Sequence, residues 1–195
     1  ARGAFMQQAV PVGVGAMAAI MGIDDDIVVD ACRQAAQQQI VAAVNFNAPG
    51  QVVIAGDADA VARAVAICKK AGAKRAVELP VSAPFHTSLM RTAADNLAEL
   101  IEQTNFSAPQ IPVIHNVHAQ AEDKPQAIKS LMLEQIYKPV LWVDCVNGLA
   151  ARGAEILIEC GPGRVLNGLS KRIDRNLTSL ATDDVASLEN ALSSV

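Results

Sequence analysis

Between residues 15 and 79, apolar runs and helical stripes alternate in an order that few folds accommodate. Residues 15–22 (GAMAAIMG) form a short apolar run bounded by glycines, the signature of a strand. Asp24, Asp25 and Asp26 then offer a cap and first-turn acids to a helix whose Ile27, Ala31 and Ala35 fall at helical spacing. Residues 40–44 read as a strand, 45–50 (NFNAPG) as a tight turn, and 51–55 (QVVIA) as a second strand. Gly56 and Asp57 lead into a helix over 58–71, and 74–79 closes the unit as a strand stopped by Pro80. Strand–helix–strand–strand–helix–strand is the split βαβ order of a ferredoxin-like unit.

Beyond Pro80 the pattern changes. The spacing predicts a helix over 88–103 with Leu89, Ala93, Leu97, Leu100 and Ile101 on one face, and a strand over 111–114. Helices over 126–137 and 143–152, a strand over 155–160, a helix over 164–173 and a strand over 179–181 follow. Helices alternating with short buried strands point to a parallel α/β layer. Three strands make a poor sheet, so the expectation is that sequence outside this chain supplies its neighbours. The opening residues fit that expectation: Ala1-Arg2-Gly3-Ala4-Phe5-Met6 has no initiator Met and no cap residue ahead of a helical-looking stretch.

Composition excludes several classes. The 195 residues are 51% hydrophobic and 18% charged, as expected of a soluble globular chain. Aromatics amount to 3%, too few for a nucleic-acid stacking platform, and a net charge of −4 disfavours a general polyanion binder. No apolar run reaches membrane-spanning length and no signal peptide is visible. Cys32, Cys68, Cys145 and Cys160 lack CxxC spacing and lie in apolar segments, which predicts reduced thiols used as small core residues and a cytoplasmic location.

The candidate chemistry centres on one histidine. His115 and His118 flank a strand end and carry no further signal, whereas His86 lies in Val81-Ser82-Ala83-Pro84-Phe85-His86-Thr87-Ser88, a loop between strand and helix. An imidazole outside a helix N-terminus is favoured in its neutral form, which a general base requires. It is either a turn histidine or a base awaiting a nucleophile. No GxSxG elbow occurs to provide one, and no serine is flanked by glycines in that way. No Cys/His cluster or HxxxH pattern suggests a metal. Gly161-Pro162-Gly163 could cradle an anion at a helix start, but reads better as a tight strand-to-helix turn. Lys69, Lys70, Lys74 and Arg75 form either a solvated helix end or a seat for phosphates or an acidic partner.

Six motifs in register resemble those of malonyl-CoA:acyl carrier protein transacylases. They are Arg2-Gly3-x-x-Met6-Gln7; Gly15-Ala16-Met17-Ala18-Ala19-Ile20; Asn45-x-Asn47-x-Pro49-x-Gln51-x-Val53-Ile54-x-Gly56; Val81-Ser82-x-Pro84-x-His86; Gln135-x-Tyr137-x-Pro139-Val140-x-Trp142; and Glu159-x-Gly161-Pro162-Gly163-x-Val165-Leu166. The resemblance runs over essentially the whole chain.

It implies an α/β-hydrolase-like parallel-sheet large subdomain from residues 1–12 and 83–195, incomplete here, with an inserted ferredoxin-like small subdomain at 13–82. It also implies ping-pong transfer of malonyl from CoA to a serine, then to the phosphopantetheine thiol of acyl carrier protein. The GHSxGE elbow bearing that serine does not occur in this sequence, so the chain by itself is expected to be inactive, with an N-terminal segment as partner. By position, His86 is implied as the base and Gln135 as its main-chain orienter. Arg2 is implied as the grip on the malonyl carboxylate and Phe85 as a guard against branched acyl groups. Asn45, Asn47 and Gln51 are implied as pantetheine- or CoA-facing, with Lys74 and Arg75 as phosphate contacts. No metal or redox cofactor is implied. The rival readings are a non-catalytic fragment that binds CoA or carrier protein, and the acyltransferase domain of a larger synthase.

Overall fold

The computed structural model describes residues 1–11, 13–81 and 83–195. Val12 and Ser82, at the seams between the two expected regions, lie outside the described residues, as does the part of the His86 motif carried by Ser82. The chain is mixed α/β, with both antiparallel and parallel sheets.

Four strands, β1 (Gly15–Met21), β2 (Val41–Ala48), β3 (Gln51–Asp57) and β4 (Arg75–Glu78), form an antiparallel sheet in the order β2-β3-β1-β4. The helices between them, α2 (Asp25–Ala36) and α3 (Ala58–Lys70), cover one face. Alternate side chains explain how. Ala18, Ile20, Val52 and Ile54 point to the helices and meet Val28, Ala31, Cys32, Val61, Ala64 and Cys68. Met17, Ala19, Val53 and Ala55 point the other way, where Val44 joins them and Leu79 and Phe85 close over them. Both faces are therefore covered, and these strands read as continuous apolar runs for that reason.

The expected turn over 45–50 is shorter than the sequence suggests. Asn45, Phe46, Asn47 and Ala48 continue β2, and only Pro49 and Gly50 turn the chain, Gly50 at φ +67°. Register shifts between Ala43 and Asn45 and between Phe46 and Ala48 let the polar residues stay in the strand.

An N-terminal helix, α1 (Arg2–Ala9), packs on α4 (Arg91–Gln103), which is entered through a 3-10 turn at Ser88–Met90. Met6, Val10, Ala93, Ala94, Leu97, Ile101, Met90, Ala83 and Ile136 make this core. Leu100, expected on the buried stripe, is 44% exposed; the stripe runs along Ala93, Leu97 and Ile101 and leaves Leu100 on its rim.

The expected strand over 111–114 is not formed. Only Ile114 and His115 pair, as β5 (Ile114–His115), antiparallel to β6 (Gln120–Ala121). Pro112 offers no N–H to a ladder, and Ile111 and Val113 stand exposed. The parallel layer among the described residues is thus two strands, β7 (Ile156–Glu159) and β8 (Thr178–Ala181), joined through α7 (Val165–Ile173). Before them, α5 (Pro125–Glu134) ends three residues ahead of its predicted stop, in a turn before Pro139, and α6 (Trp142–Ala150) follows. A last helix, α8 (Val185–Ser193), is capped by Asp184, whose carboxylate accepts the Ser187 N–H at 2.7 Å. Cys32, Cys68 and Cys145 are buried as expected, but Cys160 is exposed, because it sits past the end of β7 rather than within it.

Gly56 is where a side chain is least tolerable: a Cβ there would lie 2.0 Å from the Ile40 carbonyl oxygen and 2.6 Å from the Val41 Cα. Both are backbone atoms and cannot swing aside. Gly56→Ala should therefore destabilise the chain by about 1–3 kcal/mol or more. Gly168→Ala, in α7 with nothing within 4 Å of the new methyl, should be neutral or stabilise by up to about 1 kcal/mol. Urea melts of the two variants against wild type check the contrast.

Candidate functional site

The loop that carries His86 is built tightly. Pro84 is fully buried and lies against β1, where a Cβ on Gly15 would come 2.4 Å from the Pro84 ring. Thr87, 2% exposed, does not cap the following turn with its side chain; it donates its hydroxyl to the Pro84 carbonyl at 2.7 Å. Between these anchors His86 takes φ +63°, a left-handed conformation that costs a non-glycine residue about 1–2 kcal/mol. The fold holds it there from both sides.

That conformation presents the His86 ring to the turn after α5. Nδ1 lies 2.9 Å from the main-chain oxygen of Gln135. A carbonyl can only accept, so Nδ1 carries the proton and Nε2 keeps its lone pair. Gln135 has a second contact: its side-chain Oε1 accepts from Arg2 Nη2 at 2.6 Å. One residue thus touches both the imidazole and the guanidinium, drawing together three residues from positions 2, 86 and 135.

The electrostatics favour a neutral ring. Burial pushes the His86 pKa below its ordinary 6.5, and the Arg2 charge pushes the same way. The main-chain carbonyls of Gln135 and Lys138 oppose the shift without cancelling it. The neutral form expected from a helix dipole is here favoured by burial and by the Arg2 charge.

Phe85 packs against two apolar clusters, the one that holds Ala83, Met90 and Ile136 and the one that holds Met17, Val44 and Val53. Asn45 faces away from the helices, opposite Val53, on edge strand β2, and makes a parallel bridge with Val140. Gln51, Met21 and Arg75 are in register across β3, β1 and β4, so their side chains share the helix-free face, with Gln51 and Arg75 two strands and hence about 10 Å apart. Gln51 also accepts a hydrogen bond from Arg172, at the end of α7. Sequence reasoning did not single out Arg172; a basic last turn was the available signal, and it reads equally as dipole complement. Asn47 sits at the second irregularity of β2. Lys74 lies over Gly22, and Lys69, Lys70, Lys74 and Arg75 are all exposed, with no ion pair to them among the described residues.

At the helix start after Gly161-Pro162-Gly163 the Glu159 carboxylate accepts one N–H, that of Asn167, at 2.7 Å. Residues 161–164 run as bends from β7 into α7, and the protein's own carboxylate takes one of the donors there. His115 and His118 meet edge to face at 5.9 Å, and His115 lines a cavity with Arg2 and Gln135. Among the described residues, no group of three or more His, Cys, Asp or Glu side chains could hold a metal, and no helix is long and apolar enough to cross a membrane.

The depressed pKa fixes the sign of a pH effect. Below pH 6.5 the unfolded chain protonates this imidazole before the folded chain does, so stability falls as pH drops from 6.5 towards the folded pKa. NMR titration should place the His86 midpoint below 6.5, and Arg2→Ala should move it upward. His86→Gln should remove part of the stability slope. His115, whose pKa burial also lowers, supplies a remaining part of the same sign.

With this geometry in view, the likenesses to known proteins are specific. The acyl transferase domain family matches residues 1–186. The malonyl CoA-acyl carrier protein transacylase of Escherichia coli (strain K12) is 52% identical over 191 residues, covering 98% of this chain and 62% of that protein. The solved acyl carrier protein S-malonyltransferase of Vibrio cholerae superposes with a TM-score of 0.95 at 55% identity, covering 97% of this chain and 62% of the other. A malonyl-transacylase solved in complex with a type II PKS acyl-carrier protein superposes with a TM-score of 0.97 at 49% identity, covering 100% of this chain and 63% of that one. The chain thus spans about 62% of the length of these relatives. A match over nearly its whole length places it, with its malonyl-transferring relatives, in the acyl transferase domain family.

Proposed function

We propose that this chain supplies the base, the carboxylate grip and the CoA-facing surface of an enzyme that moves malonyl from malonyl-CoA to the phosphopantetheine thiol of acyl carrier protein. The observation that carries the reading is the convergence of Arg2 and His86 on Gln135. In the proposed cycle a serine hydroxyl, on a segment outside this chain, gives its proton to His86 Nε2 as its oxygen attacks the thioester carbonyl. Collapse of the tetrahedral intermediate expels the CoA thiolate, which takes the proton back, and leaves an acyl-serine. The carrier-protein thiol then attacks by the same route in reverse. Gln135 holds the ring through its main chain as a triad acid would, fixing tautomer and direction, without carrying charge.

Arg2 suits the malonyl carboxylate because a guanidinium can take both oxygens at once. Two charge-assisted hydrogen bonds of about 1.5–3 kcal/mol each correspond to a preference over acetyl of roughly 10²–10⁴-fold. Phe85, next to the base in sequence and packed against two cores, would serve as the guard against a methyl branch. Asn45, Asn47 and Gln51 would line the approach of the pantetheine arm, and Lys74 and Arg75 would meet phosphates of CoA or the acidic carrier protein. The exposure of the basic cluster and the shared face of Gln51 and Arg75 support that placement. We read residues 13–82 as a ferredoxin-like subdomain, on the strength of strand order β2-β3-β1-β4 under two helices, and the remainder as part of a hydrolase-like layer. Neither a metal nor a redox cofactor enters this chemistry, and a cytoplasmic location fits it.

Intact-mass spectra after brief exposure to malonyl-CoA test the reading. The expected result is that this chain stays unmodified while a polypeptide bearing the elbow serine gains malonyl. In that assembly His86→Ala should slow transfer by about 10²–10⁴-fold. A malonyl adduct on one of this chain's own serines or cysteines would overturn the division of labour. CoA binding without acyl exchange, in a sample that contains the serine segment, would favour the binding-fragment reading.

A further inference from the structure

We infer that the side chain of Gln135 positions Arg2 for the acyl carboxylate, so that one residue sets both the direction of the base and the selectivity of the site. This rests on the reading of Arg2 and His86 given above.

The two contacts use different parts of Gln135. Its main-chain oxygen accepts from His86 Nδ1 at 2.9 Å, a bond that any residue at this position could make. Its side-chain Oε1 accepts from Arg2 Nη2 at 2.6 Å, which depends on a side-chain oxygen at this reach. Arg2 lies in the first turn of α1, and among the described residues no ion pair holds its guanidinium. A long, exposed arginine without such a hold samples many rotamers, and ordering it on binding costs side-chain entropy. The amide removes part of that freedom beforehand. Being neutral, it leaves the guanidinium its full charge and its remaining donors. Arg2 and Gln135 also line one cavity of about 120 Å³ with Leu97, His115 and Met132, and Arg2 itself is exposed.

The chemistry of the alternatives shows why an amide suits the position. Alanine would keep the His86 bond and release Arg2. Glutamate would keep the reach but supply a carboxylate of its own, which would pair with the guanidinium and compete with the substrate's.

The experiment is calorimetric binding of malonyl-CoA and acetyl-CoA to the intact protein that contains this chain, as wild type, Gln135→Ala, Gln135→Glu and Arg2→Ala. NMR of the His86 ring serves as control. Gln135→Ala should lose about tenfold of the malonyl preference, with acetyl-CoA affinity within about twofold of wild type and the Nδ1–H tautomer of His86 unchanged. Gln135→Glu should lower the preference to the level of Arg2→Ala. A purely structural role would weaken both ligands together, and that result would overturn the inference. So would a wild-type preference in both Gln135 variants. A malonyl preference that survives Arg2→Ala would overturn the reading of Arg2, and the inference with it.

Discussion

The arrangement depends on a backbone clamp between the antiparallel sheet and the segment that follows α5. Val140 donates its N–H to the Val44 oxygen at 2.8 Å, and its own oxygen accepts the Phe46 N–H at 3.0 Å. This is possible because β2 is the sheet's edge strand and its register slips between Ala43 and Asn45, turning backbone groups outward. Val44 is fully buried at the junction, so the polar groups there have no access to water and must find each other. The clamp caps an edge that would otherwise be free to pair with another chain. It also ties Asn45 to a residue five positions after Gln135, which fixes the sheet's helix-free face relative to the turn that orients His86.

The other side of that relation is fixed by packing. Pro84 seats against Gly15 only because the glycine lacks a Cβ, and Thr87 locks the loop through the Pro84 carbonyl. Between those anchors His86 holds a left-handed backbone, and its imidazole reaches the turn after α5. Sheet, loop and turn therefore meet at one point, each held by a contact that tolerates little displacement.

Much of this was legible in the sequence, and the exceptions have physical causes. The first helix of the antiparallel unit announced itself because Ile27, Ala31 and Ala35 fall at helical spacing, although the face it buries is Val28, Ala31, Cys32 and Ala35 and Ile27 is 40% exposed. Polar residues misled at Asn45 and Asn47, which read as a turn because nothing local shows that a strand edge is clamped by a residue far along the chain. The segment at 111–114 read as a strand from its β-branched residues, yet a strand exists only with a hydrogen-bonded neighbour, and among the described residues it has none beyond Ile114. The amphipathic α8 was missed because its cap, Asp184, sits in a short polar tail. In the site, His86 and the basic cluster stood out by residue type. The Arg2–Gln135 bond could not, since its partners are 133 positions apart and glutamine carries no signal of its own.

A neutral orienter beside a cation has a consequence for the proposed chemistry. In a triad with aspartate, the carboxylate stabilises the imidazolium that forms when the base takes its proton. Here the Gln135 carbonyl offers only a dipole, and Arg2 and burial both disfavour the charged ring. His86 is thus a weaker base than its triad counterpart and a stronger acid once protonated. That balance suits thioester exchange. A thiol has a pKa of about 8.5, so the departing thiolate is a far better leaving group than an amine and asks little of the acid. The attacking carrier-protein thiol in turn needs only a modest base. The cation that weakens the base is the one that would recognise the malonyl carboxylate, and a carboxylate bound there would cancel much of its effect on the ring. On this reading the imidazole becomes easier to protonate when the acyl group that selects the site is in place.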